Sequence, residues 1–324
     1  MLRQLLTAPL NQITEPHHFP PEGSVADSDG YQTTLCDSVT ITPQTLLSLL
    51  NVHHLSALED ERYVLGRGRG LDAESVARVA EMIKAPQVHQ LLTAPQPGVV
   101  VVDGRLDRAQ HTARVTPLSF VCASLAHALR QTGAPVLIFF CGRNLRGDDH
   151  LQGPEGMMRS LLAQLVLLLL QQRWIEDCAA ISLPSYLQGR DGVVDLPLDE
   201  ICQLFRSLLR VVQGESGLVC IVDGISLFET DAWQEDYGVV MRCLLPAAED
   251  ISLPAPFKLL MTSPTSTRLP QAFVPFDRRV SIRNRRGEQG WGAGGLLPRL
   301  LANANRDVPS HPQDDLTWRR RTTS

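Results

Sequence analysis

Lysine is nearly absent. Of 30 basic residues in 324, only Lys84 and Lys258 are lysines, so lysine-dependent catalysis or a lysine gripping a phosphate has two candidates. The seven cysteines are odd in number and form no C-x-x-C. Cys122, Cys141, Cys202 and Cys220 lie inside apolar runs, where a thiol acts as a small hydrophobe. That pattern argues against structural zinc and a disulfide framework. There is no H-x-x-x-H or H-E-x-x-H, and the adjacent pairs His17-His18 and His53-His54 should point apart on a regular element, so no metal site is expected. The most apolar stretch, Leu161–Leu170, is interrupted by Gln164, whereas about 20 apolar residues are needed to cross a bilayer. The opening Met1-Leu-Arg-Gln-Leu-Leu-Thr-Ala-Pro9 is too short and too quickly polar for a secretory signal. A soluble, cytoplasmic chain with no membrane span is expected.

What is present is ordinary globular material: 44% hydrophobic and 20% charged residues, enough for one sizeable core with appendages or two small domains. Collagenous, coiled-coil and wholly disordered readings fall away. The net charge of −5 is uneven. Residues 278–324 hold ten Arg against four acids, a local +6, which leaves −11 for residues 1–277. The body is therefore no specific nucleic-acid binder, and only the tail is basic.

Residues 1–41 mix Pro, His, Ser and Asp with few large apolar groups and read as mostly disordered. Residues 42–97 read as a helical lead-in. One helix is capped at Thr42-Pro43, a second runs over Ser56–Leu65 and stops at Gly66, and a third starts behind Asp72. From residue 98 the pattern changes. Val99–Val102, Val136–Phe140, Leu218–Val222, Phe257–Met261 and Val280–Ile282 are nearly all-apolar runs, as strands buried on both faces of a parallel sheet should be. Between them come helices. Leu118, Val121, Cys122, Leu125, Ala126 and Leu129 line one face behind Thr116-Pro117, and Ile201 to Val212 repeat the spacing. Pro154–Trp174 is apolar nearly all round in its second half and should be covered on more than one side. Such alternation predicts an α/β three-layer sandwich over residues 98–284, with right-handed crossovers. Residues 285–324 read as a basic flexible tail, with a short helix at Leu296–Ala302.

In open parallel sheets ligands sit at the carboxyl ends of the strands. The first strand there gives Asp103-Gly104, a loop, and a helix capped by Thr116, which is the layout of a phosphate-binding loop. GxxxxGK[ST] requires a second Gly, a Lys and a hydroxyl, but counted from Gly104 those positions hold Ala109, Gln110 and His111. In a longer loop the nearest substitutes are Ala113, Arg114 and Thr116. Asp223 closes an apolar strand as a Mg²⁺-orienting acid would, with Glu229 the only nearby substitute for a catalytic carboxylate. Thr262 and Ser263 place hydroxyls at the same edge, to sense a γ-phosphate or simply to bond a turn. Each of these residues also fits a plain turn cap. An aspartyl phosphotransferase would need an acid where Arg105 stands, and there is no G-x-S-x-G.

With these residues in place the chain resembles the degenerate, fungal-type relatives of NACHT/STAND P-loop domains, of the nephrocystin-like kind. The resemblance spans about Leu58 to Ile282. It rests on the lead-in from Val79 to Leu92 before Val-Val-Val-Val-Asp103-Gly104, and on Phe139-Phe-Cys-Gly142 with Asp148-Asp149. It rests also on Gly153-Pro-Glu-Gly-Met-Met-Arg-Ser-Leu-Leu, on Ile221-Val-Asp-Gly in the Walker B place, and on Lys258-Leu-Leu-Met-Thr-Ser263 in the sensor place. It implies a five-stranded sheet of order 5-1-4-3-2 with the Walker-type loop after the first strand. It implies ATP or GTP control of an oligomerising switch, with Gly104, Arg114, Thr116, Asp223, Thr262 and Ser263 as the degenerate nucleotide positions. The Walker Lys is missing, and Pro264 stands where relatives carry Arg. The resulting expectation is a P-loop-like domain that has lost catalysis, needs no cofactor and works by binding protein, its basic tail suited to acidic surfaces. The alternative is a divergent Mg-ATP or Mg-GTP switch with little or no hydrolysis, Asp223 holding Mg²⁺ only with the nucleotide.

Overall fold

The computed structural model describes residues 38–68, 71, 73–106, 114–145, 151–176, 179–184, 196–268 and 273–282. Of the expected disordered start, 1–41, residues 1–37 lie outside the described residues, as do the whole of the expected tail, 285–324, with its short helix at Leu296–Ala302, and Asp148 and Asp149. Strand β1 (Ser38–Ile41) leads into α1 (Pro43–Leu50), α2 (Ser56–Arg67), α3 (Ala73–Lys84) and α4 (Pro86–Thr93). Next come β2 (Gly98–Asp103), α5 (Pro117–Gln131), β3 (Val136–Phe140), α6 (Gly153–Gln171) and β4 (Ile181–Pro184). The chain continues through α7 (Leu198–Leu209), β5 (Leu218–Asp223), α8 (Gln234–Ala247), β6 (Phe257–Ser263) and β7 (Arg279–Ser281).

The main sheet has five parallel strands in the order β3-β5-β6-β2-β7. Numbered among themselves along the chain, that is the expected order 5-1-4-3-2. Because side chains alternate across a strand, each run feeds two cores. Val99, Val101, Leu137, Phe139, Cys220, Val222, Leu259 and Met261 face one layer with α6, α7 and α8. Val100, Val102, Ile138, Phe140, Ile221 and Leu260 face the other, where α5 lies beside the lead-in helices α2, α3 and α4. The result is the three-layer sandwich that the all-apolar strands require.

Helix α6 alone, among the described residues, has the length and apolar composition to cross a membrane. Here it is a core helix, packed against β3, α1, α7 and α8. Met157, Met158, Leu161, Leu162, Leu165, Val166 and Leu169 are fully buried. At about 1.5–3 kcal/mol per buried side chain, this helix is among the largest apolar contributions, before the entropy of ordering it.

Several boundaries differ from the sequence reading. Residues 38–41 form β1, which pairs antiparallel with β4 (Ile41 opposite Ile181), so this end of the lead is ordered by a partner about 140 residues away. Helix α2 runs through Gly66 to Arg67, with Gly68 at its carboxyl cap. Its last turn is held by Gly68 packing on α5, a tertiary contact that overrides the glycine signal. Pro86 starts α4 as a separate helix because proline suits a first helical position and cannot continue α3. His53 and His54 lie in the turn between α1 and α2 with ring centroids 4.7 Å apart, because the turn lacks the regular geometry that would separate them.

Candidate functional site

At the carboxyl edge of the sheet, register places Asp223 between Phe140 of β3 and Thr262 of β6, in the two central strands. Both side chains are buried. The Thr262 hydroxyl donates to the Asp223 carboxylate at 2.6 Å. Thr262 Oγ1 and its carbonyl oxygen accept the Gly224 N–H at 3.3 and 2.9 Å. Gly224 has φ 79°, which glycine supplies without a Cβ penalty. The strand ends are thus knitted by the residues that would face a ligand.

The other side of Asp223 is met by α5. Thr116 and Ser119 form a reciprocal capping box. The Ser119 N–H donates to Thr116 Oγ1 at 3.1 Å, and the Thr116 N–H donates to Ser119 Oγ at 2.9 Å. The Ser119 hydroxyl lies close enough to Asp223 to favour its charged form. A continuous line therefore runs from the start of α5 through Ser119 and Asp223 to Thr262. Burial raises the Asp223 pKa to about 6, and the hydroxyls of Ser119 and Thr262 pull in the other direction. The thiols of Cys122 and Cys141 complete the surroundings, their pKa values raised by burial first and by the Asp223 charge second.

The loop after β2 leaves the sheet along the exit of β6. The Gly104 N–H donates to the Ser263 carbonyl at 2.8 Å, and the Leu106 N–H to that of Pro264 at 2.8 Å. A Cβ on Gly104 would lie 2.6 Å from Leu118 Cδ1, so the position has no room for a side chain. Arg105 takes φ 47°. Buried Arg78 of α3 donates from Nη1 to the carbonyls of Gly104 and Arg105, each at 3.3 Å. Ala109, Gln110, His111 and Ala113 lie outside the described residues. Where the chain resumes, Arg114 is exposed and its carbonyl oxygen presses on Gly142, 2.3 Å from where a Cβ would stand.

Ser263 belongs to a neighbouring hydroxyl cluster. Its Oγ donates to Ser226 Oγ at 2.7 Å, and Thr265 Oγ1 donates to the same oxygen at 3.1 Å. Glu229 accepts the Arg268 N–H at 2.8 and 3.0 Å, so it acts as a backbone cap. Asp103 accepts the Thr267 N–H at 3.3 Å. Of the candidates, Thr116, Asp223 and Thr262 come together through Ser119; Gly104 and Ser263 meet through backbone, and Arg114 enters by its carbonyl. Ser119, Ser226 and Arg78 were missed. Ser119 was findable, three residues after the Thr cap; Arg78 and Ser226 carry no local signal. Lys258 sits at the opposite end of the sheet, buried, donating from Nζ to the Leu92 carbonyl at 3.2 Å. Burial lowers its pKa.

Residues 118–263 match the family described as Nephrocystin 3, N-terminal. No curated protein matches the chain in sequence. Among solved structures, a chain from the structure of Drosophila ORC bound to DNA is similar at 12% identity and a TM-score of 0.32. That similarity covers 90% of this chain and 61% of that one. The nephrocystin match starts in the first turn of α5 and ends on the last residue of β6, and so includes Asp223, Thr262 and Ser263 but begins after Gly104, Arg114 and Thr116. From α5 to β6, then, the chain is similar to the amino-terminal region of nephrocystin 3.

Proposed function

We propose that this nephrocystin-like α/β domain is a degenerate NACHT/STAND-type module that binds protein and does not turn over nucleotide. One observation carries the reading: the Asp223 carboxylate is buried and accepts the Thr262 hydroxyl at 2.6 Å within the fold. Supporting it, the N–H groups of Gly104 and Leu106 go to the Ser263 and Pro264 carbonyls, and those of Thr116 and Ser119 to their own capping box. A phosphate loop would offer such donors to its ligand. Mg²⁺ would need several well-placed oxygens and usually keeps waters. The cluster offers it one carboxylate, already bonded, so the donor set fits the ion poorly. Among the described residues five cysteines are buried and unpaired, which suits a reducing, cytoplasmic setting.

A second reading is favoured by Ser119, which is bonded to Thr116 and lies close to Asp223, so that the two residue types that hold Mg²⁺ in an active switch stand near each other. There Gly104, Arg114, Thr116 and Asp223 would bind Mg-ATP or Mg-GTP. Calorimetric titration of the full chain with ATP and GTP, with and without Mg²⁺, separates the two. The scaffold reading expects no heat at millimolar ligand from a folded sample. Micromolar binding that Asp223→Ala weakens more than about tenfold, about 1.4 kcal/mol, only when Mg²⁺ is present would overturn it.

A further inference from the structure

The amino ends of the strands carry a feature that the nucleotide-type edge does not involve. A groove of about 710 Å³ runs beneath β5, β6, β2 and β7. Its walls are the segments that enter those strands: Pro95 to Pro97, Glu215, the run from Glu249 to Pro256, and Arg278. Adjacent strands lie about 4.8 Å apart, so the groove is about 14 Å long, room for about four extended residues. The lining mixes four prolines, Ile251 and Leu253 with charged residues, and Ile251 on its wall is 87% exposed. Phe276, two residues from Arg278, is exposed to the same degree. A solvent-facing Ile and Phe beside a proline-walled groove mark a surface built to be covered.

The charge of the lining narrows the occupant. Glu215, Glu249 and Asp250 stand against Arg278, which pairs with Glu249 at 3.4 Å. Asp250 is held in its charged form by bonds from Ser252, with Arg210 and Arg206 behind it. Ser252 bonds only Oδ1 of Asp250, which leaves its Oδ2, with Glu215, to meet an incoming cation. The fitting ligand is a short leucine-rich segment with a basic residue at its centre.

The chain contains one: Leu296-Leu-Pro-Arg-Leu-Leu301, within the stretch of net charge +6. We propose that Leu296–Leu301 docks in cis in this groove, its leucines covering Ile251 and Phe276 and Arg299 facing Glu215 and Asp250. Reach is sufficient. Arg278 lines the groove, and Ile282 is four residues on, about 13 Å away along an extended strand. The thirteen residues from Arg283 to Gly295 include five glycines. A glycine-rich stretch of that length and composition can span about 20 Å, and a linker matched to its span gives millimolar effective concentration. A segment of weak intrinsic affinity then suffices to fill the groove.

The test is hydrogen exchange on the full chain, reading the amides of Gln96, Gly98 and the non-proline residues of 249–257. In Leu297→Asp/Leu300→Asp these amides should exchange roughly tenfold faster than in the unaltered chain, and Ile251→Asp should speed exchange at 296–301 to the same degree. Ile251 is 87% exposed, so Ile251→Asp should leave the fold cooperative and lower its thermal midpoint only slightly. Equal exchange in variant and parent would overturn the proposal. Protection that grows with protein concentration would overturn it in favour of a second copy docking in trans.

Discussion

The side-chain amide of Gln164 bonds both backbone groups of Ile138: the Ile138 N–H donates to Gln164 Oε1 at 3.0 Å, and Gln164 Nε2 donates to the Ile138 carbonyl at 2.9 Å. Strand β3 is the outer strand of the sheet, so Ile138 presents an N–H and a carbonyl with no neighbouring strand. One residue of α6 supplies both missing partners and blunts an edge that would otherwise template pairing with another chain. Gln164→Leu keeps the helix and its volume but leaves both groups of Ile138 unpaired at a part-buried site. Unfolding in urea should show a loss of about 1–3 kcal/mol, and light scattering a stronger tendency to self-associate.

Two neighbouring glycines in α2 should respond to alanine with opposite signs. A Cβ on Gly68 would lie 1.9 Å from Phe120 Cδ2, inside the ring that the cap packs against. Gly68→Ala must displace that buried ring at a cost of about 1–3 kcal/mol. Gly66, inside the helix, has nothing within 4 Å of its Cβ position. Gly66→Ala should gain up to about 1 kcal/mol from helix propensity. Melting temperatures of the two variants that move the same way would refute this.

The sheet was readable because its strands are buried on both faces, so each declares itself as an apolar run without help from distant residues. Thr116-Pro117 declared its helix for a similar reason, since a cap is local chemistry. What stayed hidden depends on contacts far away in sequence. Val39-Thr-Ile41 is too short to mark a strand until Ile181 pairs with it. Gln164 looked like an interruption of an apolar run because its partner is 26 residues back. At the site, Asp223 and Thr262 could be placed at one edge by their position at strand ends, but their mutual bond depends on the register of β5 with β6. Arg78 gave no signal, because it acts only by reaching across from α3 to the loop after β2.

Among the described residues, two acids of α2, Asp60 and Glu61, fasten the lead-in to the α/β body by charge contacts of unequal burial. Glu61 of α2 pairs with Arg130 and, at 3.5 Å, with His127 of α5, and its side chain is 5% exposed. Asp60 pairs with Arg143 at 2.9 Å and is 20% exposed, while Arg143 also stacks 3.9 Å over the Tyr63 ring. Glu61→Gln removes the anion of the more buried cluster and should cost about 1–3 kcal/mol. Asp60→Asn removes an anion that is itself partly exposed and leaves Arg143 on its aromatic face, so it should cost less, within about 1 kcal/mol. A urea series that ranks the two in reverse would show that α2 is held by packing rather than by charge.

Asp223 should make the protein less stable as pH rises through the weakly acidic range. Its ordinary pKa of 3.8 is raised to about 6 in the folded chain by burial. Between those values the folded state binds more protons than the unfolded one, so unfolding free energy falls as pH increases. The neutral acid is favoured below the unfolded pKa, and the penalty of the buried charge is complete above about pH 7. A shift of about two units corresponds to about 3 kcal/mol. Other carboxylates titrate in the same window, so the effect must be read as a difference. Asp223→Asn keeps an oxygen for Thr262 and has no charge to bury. Urea unfolding of both proteins from pH 4 to 7 should show the parent losing stability relative to the variant, with most of the change between pH 4 and 6. Parallel curves would mean that Asp223 keeps an ordinary pKa, and with it enough water or free space to receive a cation, which would turn the argument back towards a Mg²⁺-dependent switch.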